Sequence, residues 1–280
     1  MKTAFGFDIA GYAGGNSGFA RADLGDGSVI QITVYEGHVF GWRLRGAEPL
    51  GAVAEAEKRV LRACAMIGDV LVDTPVDLQG LPCPVNPFFT WELVKRPVDY
   101  AFDALAPLAN LIGAPVARFQ NMLSALREEK SSEGFDRVYE TYPAASLKLL
   151  GLWSSGYGSQ SMRFSGGRWE GGPLGGIANN LEMKGKEGDA FDAALCAITG
   201  VVAEDAHLRG EGLSREVYRR IKARVAPRHH AWIAASVPKN YILMKTPPEK
   251  EIRVVKKQVS GPEGTLREVT AERSSSMRPT

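Results

Sequence analysis

The sequence predicts an α/β protein whose mixed sheet begins with three antiparallel strands and continues with parallel strands flanked by helices. The first observation behind this is an apolar run at residues 3–11, followed by two β-type runs at residues 17–24 and 28–35. The two later runs are joined by Gly25-Asp-Gly27, and Asp-Gly between such runs is a strong hairpin signal. The second observation is that short aliphatic runs then alternate with helical patterns, which is typical of α/β proteins.

The composition limits the class of protein. The chain has 280 residues, enough for one large domain or two small ones, and 34 Lys and Arg face 32 Asp and Glu, a net charge of +2. This balance gives no global argument for nucleic-acid binding, although it leaves room for a local basic patch. The three cysteines lack the paired spacing of zinc sites, and no apolar stretch reaches the roughly 20 residues of a membrane span. We therefore expect a cytoplasmic protein without a membrane segment.

The middle of the chain begins with a helix and a strand. Residues 51–66 have the composition of a helix with one apolar face, and a short aliphatic run then ends at Asp73. Proline-rich turns followed by two helical stretches predict a helical insertion at about residues 80–130. Within it, Arg96 and Asp99 stand near a predicted helix start, where the simplest interpretation is an ion pair on the surface.

Further acidic residues follow the insertion. A third β-type run, residues 135–143, carries Glu140 near its end. Residues 153–188 are rich in glycine and predict a long flexible loop, whose interleaved cations favour a lid that faces a substrate. A strongly apolar helix then begins with Asp189 and Asp192, and their spacing of three residues puts both on one side of the helix start.

The last part of the chain is more polar. Residues 214–225 predict an amphipathic basic helix, and residues 229–238 suggest a short strand. A strand at the edge of the sheet is expected around residues 251–259, followed by a frayed, flexible tail. The predicted organisation is a single domain over residues 1–240 and a C-terminal extension over residues 241–280.

The acidic residues form the most informative pattern in the chain. Asp8, Asp73 and Glu140 each stand at the end of a predicted strand, and Asp189 and Asp192 open a helix. Strand ends and helix starts converge at one edge of an α/β sheet, so these acids are expected to meet. Carboxylates at close quarters repel one another, and a hard divalent cation such as Mg²⁺ or Mn²⁺ would relieve the repulsion. Two such ions about 4 Å apart would suit an in-line attack on a phosphodiester.

Several motifs together resemble the DUF429 family, whose members are predicted nucleases with a ribonuclease H-like fold. The motifs are Phe5-Gly-Phe-Asp8-Ile-Ala-Gly11, Val72-Asp73-Thr-Pro75, Arg96-Pro-Val-Asp99, Val138-Tyr-Glu140-Thr-Tyr-Pro143 and Asp189-Ala-Phe-Asp192-Ala. The resemblance runs over about residues 2–203 and more weakly to residue 238. It implies a metal-dependent hydrolase acting on DNA or RNA. The metal ligands it implies are Asp8, Asp73, Glu140 and Asp192, with Asp189 assisting.

The sequence departs from this resemblance at a position where a lysine is often found. Tyr157 is followed by Gly158, so the cation expected to contact a phosphate must come from elsewhere. The candidate substrate-binding residues are Lys148, Arg96 and Arg163, with Arg168 as a further possibility.

Two other classes of function compete with a nuclease. Residues 8–17 superficially resemble the first phosphate-binding turn of actin-like ATPases and phosphotransferases. However, the segment around Asp73 lacks the glycines of a second phosphate loop, and 280 residues leave little room for a second domain of that kind. The other alternative is a non-catalytic module that uses the basic helix at residues 215–224 to hold nucleic acid or a partner.

Overall fold

The computed structural model of the chain describes residues 2–11, 17–25, 29–38, 50–77, 95–105, 113–127, 132–153, 164–165, 168–169, 172–181 and 188–276. Its strands are β1 (Lys2–Asp8), β2 (Gly18–Leu24), β3 (Val29–His38), β4 (Asp69–Val72), β5 (Val138–Glu140), β6 (Phe164–Ser165), β7 (Arg168–Trp169), β8 (His207–Leu208), β9 (Leu243–Met244) and β10 (Glu251–Ser260). Its α-helices are α1 (Leu50–Ile67), α2 (Pro97–Ala101), α3 (Gly113–Arg127), α4 (Pro143–Leu149), α5 (Gly172–Asn180), α6 (Gly188–Val201), α7 (Gly210–Ile221), α8 (His230–Ala235) and α9 (Gly261–Ser276).

The main sheet is mixed in the way that the sequence predicts. Within the described ranges it has six strands in the order β10-β3-β2-β1-β4-β5. The first three strands form an antiparallel meander, whereas β4 is parallel to β1 and β5 is parallel to β4. The predicted fold class, an α/β protein with an antiparallel start to a mixed sheet, then parallel strands and flanking helices, is therefore confirmed.

Helices cover both faces of this sheet. Alternate residues of a strand point to opposite faces, so Phe5 and Phe7 lie among the side chains of α1, α3 and α9, whereas Ala4 lies among those of α6. We call these two sides the α1 face and the α6 face. The two apolar clusters that fill them form the core, and no helix within the described part of the chain is long and apolar enough to cross a bilayer.

Helix α6 lies unusually close to the sheet because the facing strands carry glycine. A Cβ atom added at Gly6 would lie 1.9 Å from the carbonyl oxygen of Ala193, and one added at Gly18 would lie 1.9 Å from that of Asp189. Both distances are far below van der Waals contact. At the other end of the helix, a Cβ on Gly200 would meet Ala4. The helix backbone therefore rests directly on β1 and β2.

Replacing Gly6 with alanine is expected to lower the free energy of unfolding by about 1–3 kcal/mol, because the new methyl group must push α6 away from the sheet. Urea denaturation measures this loss. Gly51→Ala is the matched control: an added Cβ there meets no atom within 4 Å, and alanine favours a helix. Equal stability of the two variants would contradict the close contact between α6 and β1.

A smaller layer of helices packs beside β5. Its apolar core includes Val98 of α2, Phe102 just after α2, Val217 of α7 and Ile233 of α8. The chain before β9 also extends the pairing of β5, since the Glu140 amide donates to Asn240 O at 2.7 Å and the Ile242 amide donates to Glu140 O at 2.8 Å. The late helices are thus anchored to the sheet at its β5 side.

The C-terminal residues are more ordered than the sequence suggests. β10 pairs in parallel with β3 over all ten residues, and α9 then buries Thr265 and Val269 against the α1 face. The predicted flexible tail is therefore wrong for residues 261–276. The composition concealed this helix because most of its surface is polar and only a few side chains are buried. The division of the chain at residue 240 stays a prediction.

Two other local predictions are corrected. The glycine-rich segment contains α5, whose Leu174, Ile177 and Ala178 are buried at helical spacing, so this part is not a flexible loop. The short strand predicted at residues 229–238 is instead helix α8, in which Ile233 is buried. α5 has few apolar residues among its glycines, and α8 is only six residues long, so neither segment shows a clear helical period in the sequence.

The region between β4 and α4 follows the prediction in outline. Helix α2 covers only part of the stretch predicted at residues 91–111, and α3 covers most of the one predicted at residues 114–129. Residues 78–94, 106–112 and 128–131 lie outside the described part of the chain. The run at residues 135–143 contributes only a three-residue strand, because the 3₁₀ turn Ser132–Arg137 precedes it.

Candidate functional site

Two aspartates stand side by side at the carboxyl edge of the sheet. Asp8 ends β1 and Asp73 follows β4, and the register pairs Phe7 with Val72 in these parallel neighbours. The Asp73 amide donates to Phe7 O at 2.8 Å, which continues the ladder to the position of the acid. Because Phe7 and Val72 point to the α1 face, strand alternation directs Asp8 and Asp73 to the α6 face.

Helix α6 brings the third aspartate to this point. Asp192 immediately precedes Ala193, whose carbonyl oxygen lies over Gly6, two residues before Asp8. The close approach of α6 to the glycines of β1 and β2 therefore places Asp192 beside the two strand ends. Asp189 lies one turn earlier and is exposed, at the outer side of the same group.

The pKa values of the three acids are raised by burial and by neighbouring carboxylates. Burial raises the pKa of Asp8 well above its usual value, and the charges of Asp73, Asp192 and Asp189 raise it further. The pKa of Asp73 is raised by burial, then by Asp192 and Glu140. Burial and Asp189 raise the pKa of Asp192 to about 7. Among the described residues, no Lys or Arg forms an ion pair with Asp8, Asp73 or Asp192, so their mutual repulsion is not relieved there.

A buried thiol also borders the group and was not singled out from the sequence. Cys196 lies one helical turn after Asp192 and is close to the backbone of Asp73. Burial first, and then the charges of Asp73, Asp8 and Asp192, raise the pKa of its thiol. The thiol therefore stays protonated and acts as a packing neighbour of the acids.

Glu140 does not join the aspartates, which corrects its predicted role as a metal ligand. Register pairs it with Val72, so its side chain points to the α1 face, opposite to Asp73. There its carboxylate accepts from Arg96 Nη2 at 2.5 Å, from Arg96 Nη1 at 2.8 Å and from the Val76 amide at 3.1 Å. Burial raises the pKa of Glu140, and Arg96 partly offsets this effect.

Arg96 is likewise neither a surface residue nor free to bind a substrate. It is 1% exposed and forms a bidentate pair with Asp99 as well as with Glu140. Its Nη1 also donates to Asp77 O at 2.7 Å. The spacing of Arg96 and Asp99 was readable from the sequence, but the partner 44 residues away was not, and that partner is what draws the pair into the interior.

Together these contacts hold the loop that carries Asp73. Glu140 receives the Val76 amide, Arg96 binds Asp77 O, and Gln120 of α3 donates to Pro75 O and Val76 O, both at 3.1 Å. Each residue of this group acts through the loop backbone. Glu140, Arg96 and Gln120 are therefore positioning residues for Asp73.

A second buried ion pair supports the segment after Asp8. Arg118 of α3 and Glu57 of α1 are paired with fully buried side chains. Arg118 Nη1 donates to Ala10 O at 2.7 Å, and the Ala10 amide donates to Ser17 Oγ at 2.9 Å. The described residues on either side of positions 12–16 are thereby joined, and helix α3 supports the segments that follow both strand-end acids.

Lys148, another predicted substrate contact, is held by partners other than the three aspartates. Lys148 donates to Phe102 O at 2.6 Å, lies 3.6 Å from a carboxylate oxygen of Asp103 and sits 4.9 Å from the ring centre of Trp153. These partners hold its ammonium group beside α2. The predicted contact Arg163 lies outside the described residues.

The chemistry of the three aspartates fits a small hard cation. Carboxylate oxygens are the donors that Mg²⁺ and Mn²⁺ prefer, and Mg²⁺ is often held by one or two carboxylates together with waters. Over the described ranges, no three His, Cys, Asp or Glu side chains are arranged to hold one ion at once. An ion here would therefore use one or two of Asp8, Asp73 and Asp192 directly and keep some of its water.

No protein-family model and no curated protein matches this chain. Among solved structures, the chain is similar to T. thermophilus RuvC in complex with Holliday junction substrate. The two share 14% sequence identity with a TM-score of 0.38, over 71% of this chain and 92% of that chain. A likeness this distant carries no argument about activity, and the relation to the DUF429 family stays a prediction.

Proposed function

We propose that this protein is a divalent-metal-dependent phosphodiester hydrolase that acts on DNA or RNA, in which Mg²⁺ or Mn²⁺ takes one or two direct ligands from Asp8, Asp73 and Asp192. The observation that carries the proposal is the convergence of these three carboxylates on the α6 face. Burial and neighbouring carboxylates raise their pKa values, and such clusters are typical of functional sites.

The three acids have different roles in the proposed site, according to their positions. The charges of Asp73, Asp192 and Asp189 all raise the pKa of Asp8, which indicates that Asp8 lies at the centre of the group. Asp73 is fixed by its loop and Asp192 by the packing of α6, so the two flank Asp8 on rigid supports. Exposed Asp189 is suited to orient water at the outer side of the site.

The ion that such a site binds supplies charge stabilisation for the phosphate and activates water. The chain's own part is to hold the carboxylates together against their repulsion. A phosphodiester is the substrate class that this chemistry suits, and the choice of nucleic acid is supported by the sequence resemblance to predicted nucleases.

Cleavage of labelled DNA and RNA oligonucleotides tests the proposal. We expect cleavage with Mg²⁺ or Mn²⁺, none in EDTA, and a loss of at least 100-fold in rate for Asp8→Asn with the fold retained by circular dichroism. Asp205→Asn, an exposed acid beyond the opposite end of α6 from Asp192, is the matched control and should cleave normally. Metal-independent cleavage, or full activity of Asp8→Asn, would contradict the proposal. Tight ATP binding without cleavage would favour the ATPase alternative.

A further inference from the structure

Charge is distributed unevenly along the chain. Residues 215–228 carry six Lys or Arg and a single Glu, a net charge of +5, whereas the whole chain has +2. The rest of the protein therefore carries −3. A local excess of this size creates a strong positive potential around a short piece of structure.

Helix α7 presents these cations on one side. It buries Leu213, Val217 and Ile221 against α2, and Arg215, Arg219 and Lys222 are exposed at spacings of four and three residues. Their Cα atoms are thus about 6 Å and 4.5 Å apart along the helix axis. Arg224 and Arg228 follow closely in the 3₁₀ turns Lys222–Arg224 and Pro227–His229 and are exposed as well. We call these five residues, Arg215, Arg219, Lys222, Arg224 and Arg228, the basic ridge.

Much of the ridge's charge is not neutralised by nearby acids. Glu216 is shared by Arg219 at 2.6 Å and Arg220 at 2.7 Å. The Arg215 pair with Glu211 is 4.0 Å long and fully in solvent, where such pairs have little effect. Lys222, Arg224 and Arg228 form no ion pair with a described acid. Cations in the last turn of a helix stabilise it through the helix dipole. Arg224 and Arg228 lie beyond the end of α7, so this effect does not explain their presence.

The ridge belongs to the helical layer that contacts the loop after Asp73. Arg220 of α7 stacks 4.7 Å from the ring centre of Phe102 at the end of α2. Helix α2 begins after Arg96, whose guanidinium binds Asp77 O in the loop that follows Asp73. The ridge and the three aspartates are therefore connected through one short helix.

We propose that the basic ridge binds the phosphate backbone of a nucleic acid. A line of exposed cations matches a linear polyanion, and Arg is well suited to phosphate oxygens. An anionic membrane fits less well, because the apolar side of α7 is buried in the protein. An acidic protein partner would need an apolar anchor, and the exposed large hydrophobic residues of the described part, Met66 and Val255, lie on other elements. The choice of nucleic acid rests on the proposed function.

Fluorescence anisotropy with a labelled 20-base-pair DNA duplex and its RNA counterpart, in EDTA and on the Asp8→Asn background, measures binding without cleavage. Lys222→Gln/Arg224→Gln/Arg228→Gln is expected to weaken binding at least tenfold at about 50 mM salt. It should also reduce the slope of log K against log salt by about 2–3, since each lost phosphate contact removes about 0.9 from a duplex slope. The matched control, Arg62→Gln/Arg253→Gln/Arg267→Gln, removes the same charge from exposed positions on α1, β10 and α9. It should bind as the parent does.

Unchanged affinity of the ridge variant, or equal losses in both triple variants, would overturn the proposal. Loss of binding to phosphatidylserine vesicles without loss of duplex binding would overturn it as well. Thermal melts by circular dichroism show whether both variants are folded. Binding that depends on the ridge in a protein that never cleaves would refute only the proposed hydrolase, and cleavage by a protein whose binding ignores the ridge would refute only this inference.

Discussion

Asp192→Asn is expected to stabilise the metal-free protein at pH 8 while removing its response to divalent cations. The pKa of Asp192 is about 7 in the folded protein, against about 3.9 for an aspartate in an unfolded chain. The neutral carboxyl of the folded state therefore contributes stability that is complete below about pH 4 and is lost as the pH rises through 7. Asparagine carries no charge at any pH, so the variant avoids this loss.

The gain at pH 8 should be on the order of 1–3 kcal/mol, since partial exposure of Asp192 limits the effect of its raised pKa. Urea denaturation in EDTA at pH 4.5 and pH 8 measures it, and the difference from the parent should shrink at the lower pH. Mn²⁺ should raise the melting temperature of the parent but not of the variant. Asp205→Asn serves as the control for a surface acid. A variant that is less stable than the parent at pH 8 would show that Asp192 is not held in a repulsive cluster.

Arg96→Ala is expected to lower the free energy of unfolding by about 3–5 kcal/mol, because it leaves Glu140 and Asp99 buried without their cation. The loss should be smaller at pH 5 than at pH 8. Arg96 lowers the pKa of Glu140, so without it the carboxylate can take up a proton more readily and relieve the buried charge. Denaturation at the two pH values tests both statements.

Two further variants separate charge from geometry at this position. Arg96→Lys keeps the charge but cannot form both bidentate pairs, so an intermediate loss is expected. Arg209→Ala removes an arginine whose pair with Glu204 is exposed, and it should change stability by less than about 1 kcal/mol. If Arg96→Ala matched Arg209→Ala, the buried network would have no role in holding the loop after Asp73.

The strand directions, and the positions of three acids at strand ends and a helix start, could be predicted from the sequence because they depend on local patterns. Asp8 and Asp73 each follow a short apolar run, and Asp192 opens an apolar helix, so their positions could be read without knowing the register. Glu140 looked the same in the sequence. Its side chain points the other way because register pairs it with Val72, and a shift of one residue reverses the face of a strand.

Contacts between distant residues were beyond the sequence. The buried charge of Arg96 is paired with Glu140, and that of Arg118 with Glu57, which stands 61 residues earlier. Neither partner is indicated by spacing. Helix α9 could not be predicted for a related reason. Its few apolar residues are buried by packing against α1, which is distant in the sequence.

The close contact between α6 and the sheet also bears on which substitutions the protein can tolerate. Asp192 can lie close to the strand acids only because Gly6 and Gly18 have no side chain. Any side chain at these positions would collide with the backbone of α6. Positions that carry no functional group are therefore as restrictive as the carboxylates themselves. If every residue were substituted and the variants assayed for activity, these two glycines should be as sensitive to substitution as Asp8, although neither would contact an ion or a substrate.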